Sequence, residues 1–336
     1  MSSALPPGSV VLVTGINGYI GSHVADQLLE AGFNVRGTVR DVKKVGGLLQ
    51  LWENKFGKDK VELVVVKDFS TPGAFDVAVQ GIAGIAHVAS NVTFNPDPNV
   101  VIPDVVSSIH EILDSAAKTP TVKSLVYTSS AAALAPPTPN VARRLGPETY
   151  NEEDVKMAWA PPPYLPDRAM SVYAASKAEG EKALFAYSKE KQPHFTINSI
   201  VLGVNFGKVL DWSIPVSSGS FVKEILNGQP ERAKHLDYQW FVDVQDSARL
   251  HVGALIDPAI NNERIISYAT HFTWNDLLDH LRKIRPDHEW VDNFTDGTIK
   301  DLSQISNERG TALLKAMGRH GWTSVEESLR LNLEGL

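Results

Sequence analysis

Val11-Leu12-Val13-Thr14-Gly15-Ile16-Asn17-Gly18-Tyr19-Ile20-Gly21 is an apolar run that breaks at three spaced glycines and then resumes with helical periodicity. It predicts a strand, a phosphate-binding turn and a helix. Glycines suit such a turn because a helix N-terminus, with unpaired N–H groups and the positive end of its dipole, can face a pyrophosphate only if no side chain intervenes. The spacing Gly15-x-x-Gly18-x-x-Gly21 differs from the tighter Gly-x-Gly-x-x-Gly form, so context decides its meaning.

That context is a strand–helix–strand unit. Ile20, Val24, Leu28 and Leu29 recur at helical spacing, Ala31-Gly32 supplies a helix stop, and Asn34 to Arg40 reads as a second strand. An acidic residue at that strand's end would hold the 2′-hydroxyl of NAD, whereas an arginine accommodates the 2′-phosphate of NADP. Here stand Arg40 and, close by, Lys43 and Lys44, with Asp41 the one nearby acid. The balance favours NADP; a solvated basic turn is the alternative.

Further strands are expected at Val61 to Val66, which reads as covered on both faces, at Ile82 to Ala89, Ser124 to Ser130 and Phe195 to Leu202, with a helix from Val100 to Ala117. Asp68, just past the third strand, could accept from an adenine amino group or serve only as a turn residue. His87, between apolar neighbours, reads as a core residue. The prolines between Ala131 and Ser171 mark a partly irregular insertion over a site. The alternation of strands and helices predicts an α/β, Rossmann-type doubly wound parallel sheet in residues 1–207, with 208–336 mainly a smaller substrate-binding lobe, some of whose elements return to the first domain.

Composition narrows the partners. The chain has 336 residues, a formal charge of −7 and no cysteine. The acidic balance argues against nucleic acid or an anionic membrane and for a small-molecule partner. Thiolate metal sites and a cysteine nucleophile are excluded, and the ten histidines show no paired ligand spacing, so no metal is expected. Met1 to Pro7 lacks the n- and h-regions of a signal peptide, and no apolar stretch is long enough to span a bilayer, so a soluble cytoplasmic protein, monomer or homodimer, is expected.

Tyr173 and Lys177 lie four apart on a predicted helix and so project from one face. A tyrosine hydroxyl becomes an acid or base near neutral pH only if a nearby cation stabilises its phenolate. Lys177 can do so, and Ser130, at a neighbouring strand end, can orient a carbonyl. At these residues the chain resembles the extended short-chain dehydrogenase/reductase family, within it the fungal NADPH-dependent aldehyde and ketone reductases and the dihydroflavonol reductases. The similarity runs nearly end to end through Thr14 to Gly21, Val35 to Arg40, His87 to Ser90, Tyr127 to Ser130, Val172 to Lys177 and Leu313 to Gly318 with Glu326 to Leu329.

The resemblance implies a catalytic triad of Ser130, Tyr173 and Lys177, with Ser129 the less favoured serine. It implies a cofactor, NADP(H), held by Gly15, Asn17, Gly18, Tyr19, Ile20, Gly21, Arg40, Lys44, Asp68, Phe69, Ala89, Leu202 and Val204 together with Tyr173 and Lys177. The activity implied is hydride transfer to a hydrophobic or aryl ketone or aldehyde. Phe94, Trp159, Trp212, Phe221 and Trp240 are candidate pocket linings, each with core packing as the alternative. Two departures stand out: Ser108-Ile109-His110-Glu111 where relatives often have Gly-Thr-x-Asn, and Leu202-Gly203-Val204 where they commonly have a proline. A nucleotide-sugar epimerase or dehydratase, and a non-enzymatic NADP-sensing regulator, are the competing readings.

Overall fold

The computed structural model describes residues 4–234, 236, 238–295 and 297–336. In chain order the strands are β1 Val10–Thr14, β2 Asn34–Val39, β3 Val61–Val65, β4 Gly84–His87, β5 Ser124–Thr128, β6 Arg144–Leu145, β7 Thr196–Leu202, β8 Val204–Phe206, β9 Tyr238–Asp243, β10 Arg264–Ser267, β11 Thr270–Thr273 and β12 Gln304–Ile305. The helices are α1 Tyr19–Glu30, α2 Leu48–Phe56, α3 Pro98–Ala117, α4 Glu152–Ala158, α5 Ala169–Lys191, α6 Ser220–Leu226, α7 Glu231–Lys234, α8 Val244–Ile256, α9 Trp274–Ile284, α10 Glu308–Ala316 and α11 Val325–Asn332.

Seven parallel strands form the main sheet in the order β10-β7-β5-β4-β1-β2-β3, which makes the fold α/β and Rossmann-like. Alternation along each strand sends neighbouring side chains to opposite faces. Val11 and Val13 meet Val24 and Leu28 of α1 and Ala248 of α8, while Leu12 and Leu125 meet Val105 and Ile109 of α3 and Leu184 of α5. β3 ends the sheet, so it is covered less than the sequence suggests, and Val65 is half exposed. No helix among the described residues is long and apolar enough to cross a membrane.

The order of connection reverses at β1, whose chain continues to β2 on one side and whose other neighbour is β4. Ligands of open α/β sheets bind beyond the strand C-termini at such a reversal. A smaller unit overhangs that end. Its three strands, β11-β9-β8, and helices α6, α9 and α11 enclose a core of Phe206, Phe241, Phe272, Trp274 and Leu277. Thr273 and Asp276 cap α9 reciprocally. The chain then returns, since β10 pairs with β7 and α8 packs against α1.

Gly203, between β7 and β8, has a physical cause. A Cβ there would lie 2.4 Å from the Trp240 carbonyl oxygen, and the Gly203 N–H donates to Ser267 at 3.0 Å. A proline could offer neither the space nor the proton. Ser108, the other departure, donates to the Val105 carbonyl within its own helix at 2.9 Å, while Glu111 accepts from the Gly73 N–H at 2.8 Å.

One buried ion pair spans the fold. Arg264 of β10 donates to Glu181 of α5 through Nε at 2.9 Å and Nη2 at 2.6 Å, and both side chains are nearly inaccessible. Removing one partner strands the other charge in a low-dielectric interior. Arg264→Met is therefore expected to lower unfolding free energy by about 3–5 kcal/mol, and Arg264→Met with Glu181→Gln to lose much less. Urea denaturation of both variants checks this.

Candidate active site

The glycine turn is built for close approach. Gly15 has a φ of +65°, in the left-handed region, and a Cβ on it would stand 3.0 Å from the Ala89 Cβ. A Cβ on Gly21 would lie 2.3 Å from the Gly15 carbonyl oxygen. Thr14 fastens this turn to the neighbouring strand by accepting from the Val88 and Ala89 N–H groups at 2.9 and 3.0 Å. No side chain caps the N-terminus of α1. The turn thus presents uncapped helical N–H groups over a cradle that any larger residue would fill, and it fits a dinucleotide pyrophosphate.

Only the backbone of Tyr19 and Ile20 serves this turn. The Tyr19 hydroxyl donates to the Gly207 carbonyl at 3.0 Å and its ring lies against Gly219, while Ile20 packs beside Val209 and Val244. The Asn17 amide donates to the Lys44 carbonyl at 2.9 Å, which ties the turn to the loop after β2. Arg40, Lys43 and Lys44 are exposed there and form no ion pair among the described residues. Arg36 instead pairs with Glu62 at 2.7 Å. Asp68 is exposed and accepts from Ser70, whose bonds hold its carboxyl below the usual range; Phe69 packs on Phe75 and His87.

Ser130, Tyr173 and Lys177 meet at the C-terminal end of β5. Ser130 opens a short helical turn and its Oγ accepts from the Ala132 N–H at 3.2 Å, which leaves the hydroxyl proton free to donate. Ser129 is buried, its Oγ without a hydrogen-bond partner among the described residues. Burial pushes the Tyr173 phenol above its ordinary pKa, and a hydrogen bond with the Ser130 side chain works against that rise. Lys177 is 3% exposed and donates to the Thr128 carbonyl at 3.0 Å, with the Tyr127 hydroxyl at 3.5 Å. Burial pulls its pKa down to about 8 against the opposing field of Glu181.

The aromatic candidates separate. Phe94, in a loop braced by Asn91 and with a left-handed φ of 52°, lays a half-exposed ring 5.1 Å from that of Tyr173. Trp240 is buried with Leu134, Leu145 and Val201, and its indole N–H donates to Asp301. Phe221 packs at a tilt against Trp274 under the Arg232 guanidinium, and Trp212 sits beneath Lys223 in the cluster around Tyr19. Trp159 donates to Glu179 at 2.7 Å, on a side of α5 turned away from Tyr173 and Lys177 by helical geometry. Four of the five aromatics are thus engaged in packing or capping contacts, and Phe94 alone is placed against Tyr173. Leu202 is buried at the end of β7, and Val204 is half-buried in β8.

Residues 11–264 match the NAD dependent epimerase/dehydratase family. The chain belongs to that family. It is 36% identical to the terH NAD-dependent epimerase/dehydratase of Aspergillus terreus, over 99% of this chain and 98% of that one. It is 37% identical to aldehyde reductase 2 of Sporidiobolus salmonicolor, over 98% and 96%. The structure of Gre2 from Candida albicans in complex with NADPH superposes with a TM-score of 0.81 at 25% identity, covering 98% of each chain.

Within this member of the family, two supports of the site carry no sequence signal of their own. His251 of α8 donates from Nδ1 to the Ser247 carbonyl at 2.8 Å, so its Nε2 accepts from the Thr128 hydroxyl at 2.8 Å, behind the carbonyl that holds Lys177. Glu181 lies one helical turn beyond Lys177. Neither is flagged by a motif, because their partners come from strands and helices distant in sequence.

His23, His87 and His251 are all buried, and burial lowers their pKa values to about 4, 3 and 4. Each is neutral when folded yet protonates near 6.5 when unfolded, so the stability it contributes is complete above that pH and is lost as pH falls toward the folded value. Burial raises Asp243 to about 6, which acts in the opposite sense over the same window. Burial also raises Asp26, in the sense of Asp243, while hydrogen bonds lower Asp68 and Asp211, in the sense of the histidines, so the balance favours loss of stability in acid. The melting temperature is expected to fall as pH drops from about 6.5 to about 4.5, and His251→Gln to make that slope shallower, as calorimetry across pH would show.

Proposed function

We propose that this protein is an NADPH-dependent carbonyl reductase that converts a hydrophobic or aryl ketone or aldehyde to an alcohol. The observation that carries the reading is the meeting of the Ser130 hydroxyl, the Tyr173 phenol and the Lys177 ammonium beside the glycine cradle. A dinucleotide lying across the strand ends would take its pyrophosphate on the Gly15–Gly21 turn. Its 2′-phosphate would meet Arg40, Lys43 and Lys44, and a ribose hydroxyl would meet Tyr173 and Lys177. Aldehyde reductase 2 and the NADPH complex of Gre2 support the same assignment.

NADPH supplies the hydride that reduces the carbonyl carbon. The chain handles the oxygen. Ser130, already accepting from Ala132, spends its free proton on the substrate carbonyl and orients it. Tyr173 stays protonated near neutral pH because burial disfavours its phenolate, and so it can donate a proton to the oxygen as negative charge develops there. The Lys177 ammonium, fixed on the Thr128 carbonyl, supplies positive charge near the phenolate left behind. Phe94 offers an apolar face beside the same phenol, which suits an aryl or aliphatic substituent.

Tyr173→Phe is expected to slow carbonyl-dependent NADPH oxidation about 10²- to 10⁴-fold while NADPH still binds, by fluorescence titration. An unimpaired rate in a folded Phe variant would overturn the assignment. Arg40→Ala with Lys44→Ala should weaken NADPH and leave NADH binding unchanged, and a wild-type preference for NADH would instead favour an epimerase reading.

A further inference from the structure

Glu181 is a fully buried carboxylate on the helix that carries Tyr173 and Lys177, and the proposed reaction has no direct use for it. Its position four residues beyond Lys177 and eight beyond Tyr173 puts all three on one side of α5. Ser199 of β7 donates to its Oε1 at 2.6 Å, and Arg264 of β10 occupies its Oε2. Arg264 reaches onward to the carbonyls of Ala133, Pro147 and Thr149 and stacks 4.1 Å from the Tyr150 ring. The carboxylate is therefore satisfied on both oxygens.

The surroundings of Lys177 make that charge count. From β5 it is faced by the Thr128 carbonyl and the Tyr127 hydroxyl and ring, from α5 by Tyr173 and Glu181, and from β4 by His87. His251 of α8 stands behind Thr128, and Arg264 lies on the far side of Glu181. Burial keeps both tyrosines protonated and both histidines uncharged near neutral pH. Among these neighbours Glu181 alone is an anion. A buried ammonium with one carbonyl acceptor is poorly solvated, and an opposite charge one helical turn away is what favours its protonated form.

We propose that Glu181 is a positioning residue that keeps Lys177 protonated, and seated on the Thr128 carbonyl, across the pH range in which the enzyme works. The proposal rests on the reductase reading for its kinetic consequence and on geometry for its electrostatic one. Arg264 fixes the carboxylate in place, and because its other bonds reach the 131–171 insertion, that insertion and the surroundings of Lys177 depend on the same side chain.

The test is a titration of Lys177 in protein carrying 13C-labelled lysine, its ε-carbon signal assigned by Lys177→Arg. The variants are Glu181→Gln, Glu181→Asp and the double variant Glu181→Gln with Arg264→Met, which removes both buried charges together and keeps the fold if Glu181→Gln alone does not. Loss of the carboxylate is expected to lower the Lys177 midpoint by roughly one unit or more. The high-pH limb of kcat should fall with it while KM for the carbonyl stays near the wild-type value, and Glu181→Asp should restore both. A reduced melting temperature with an unmoved midpoint would overturn the proposal and leave Glu181 a structural residue. A lowered midpoint in a protein that reduces no aldehyde or ketone with NADPH would instead refute the reductase reading and uphold the role of Glu181.

Discussion

The constraint on which the site depends is the burial of a polar line along α5. Tyr173, Lys177 and Glu181 occupy successive turns, and none can face the apolar interior without a partner. The partners come from four places: Ser130 and the Thr128 carbonyl after and within β5, Ser199 on β7 and Arg264 on β10. All of them lie toward one end of the sheet or along its far strands. Helix α5 can therefore sit at one height only, and that height brings the phenol beside Ser130. Sliding it by a turn would leave a buried ammonium without its carbonyl and a buried carboxylate without its guanidinium, at a cost of several kcal/mol.

A second set of contacts brings the cofactor turn to the same end. Thr14 bridges β1 to the residues after β4, and the reversal of strand order there opens the crevice into which the turn faces. Tyr19 and Asn332 both donate to the Gly207 carbonyl, at 3.0 and 2.7 Å, so the first turn of the cofactor helix and the last helix of the chain close on one backbone group. The overhanging unit is thereby tied to the helix that would hold the pyrophosphate. The overhanging unit and the glycine turn are parts of one framework.

The parts that were legible in the sequence are those whose signal is local. The glycine turn, the strand after it and Tyr173 with Lys177 each announce themselves within a few residues, and α1, α3 and α5 follow from helical periodicity. What was hidden depends on distant partners. β10 is four residues long and begins with Arg264, which in sequence looks like a surface residue and in the fold is 7% exposed. His251 is one polar position in a helix until Thr128 is seen beside it. α2 carries little local signal, because its apolar spacing follows the basic turn without a side-chain cap. The aromatics show a related limit: ring size signals burial but not what the ring is buried against, and the contacts of Trp240 with Asp301 and of Phe221 with Trp274 emerge only in the fold.

The claim that joins these observations is that hydride passes to a carbonyl carbon held between Ser130 and Tyr173. The most direct measurement uses NADPH carrying deuterium at the transferable position, a panel of aryl and aliphatic aldehydes and ketones, and mass spectrometry of the alcohols formed. The account predicts one deuterium on the carbinol carbon of each product and none on its oxygen after exchange with water. Alcohol formed without deuterium at carbon, or NADPH left unconsumed across the whole panel, would contradict it.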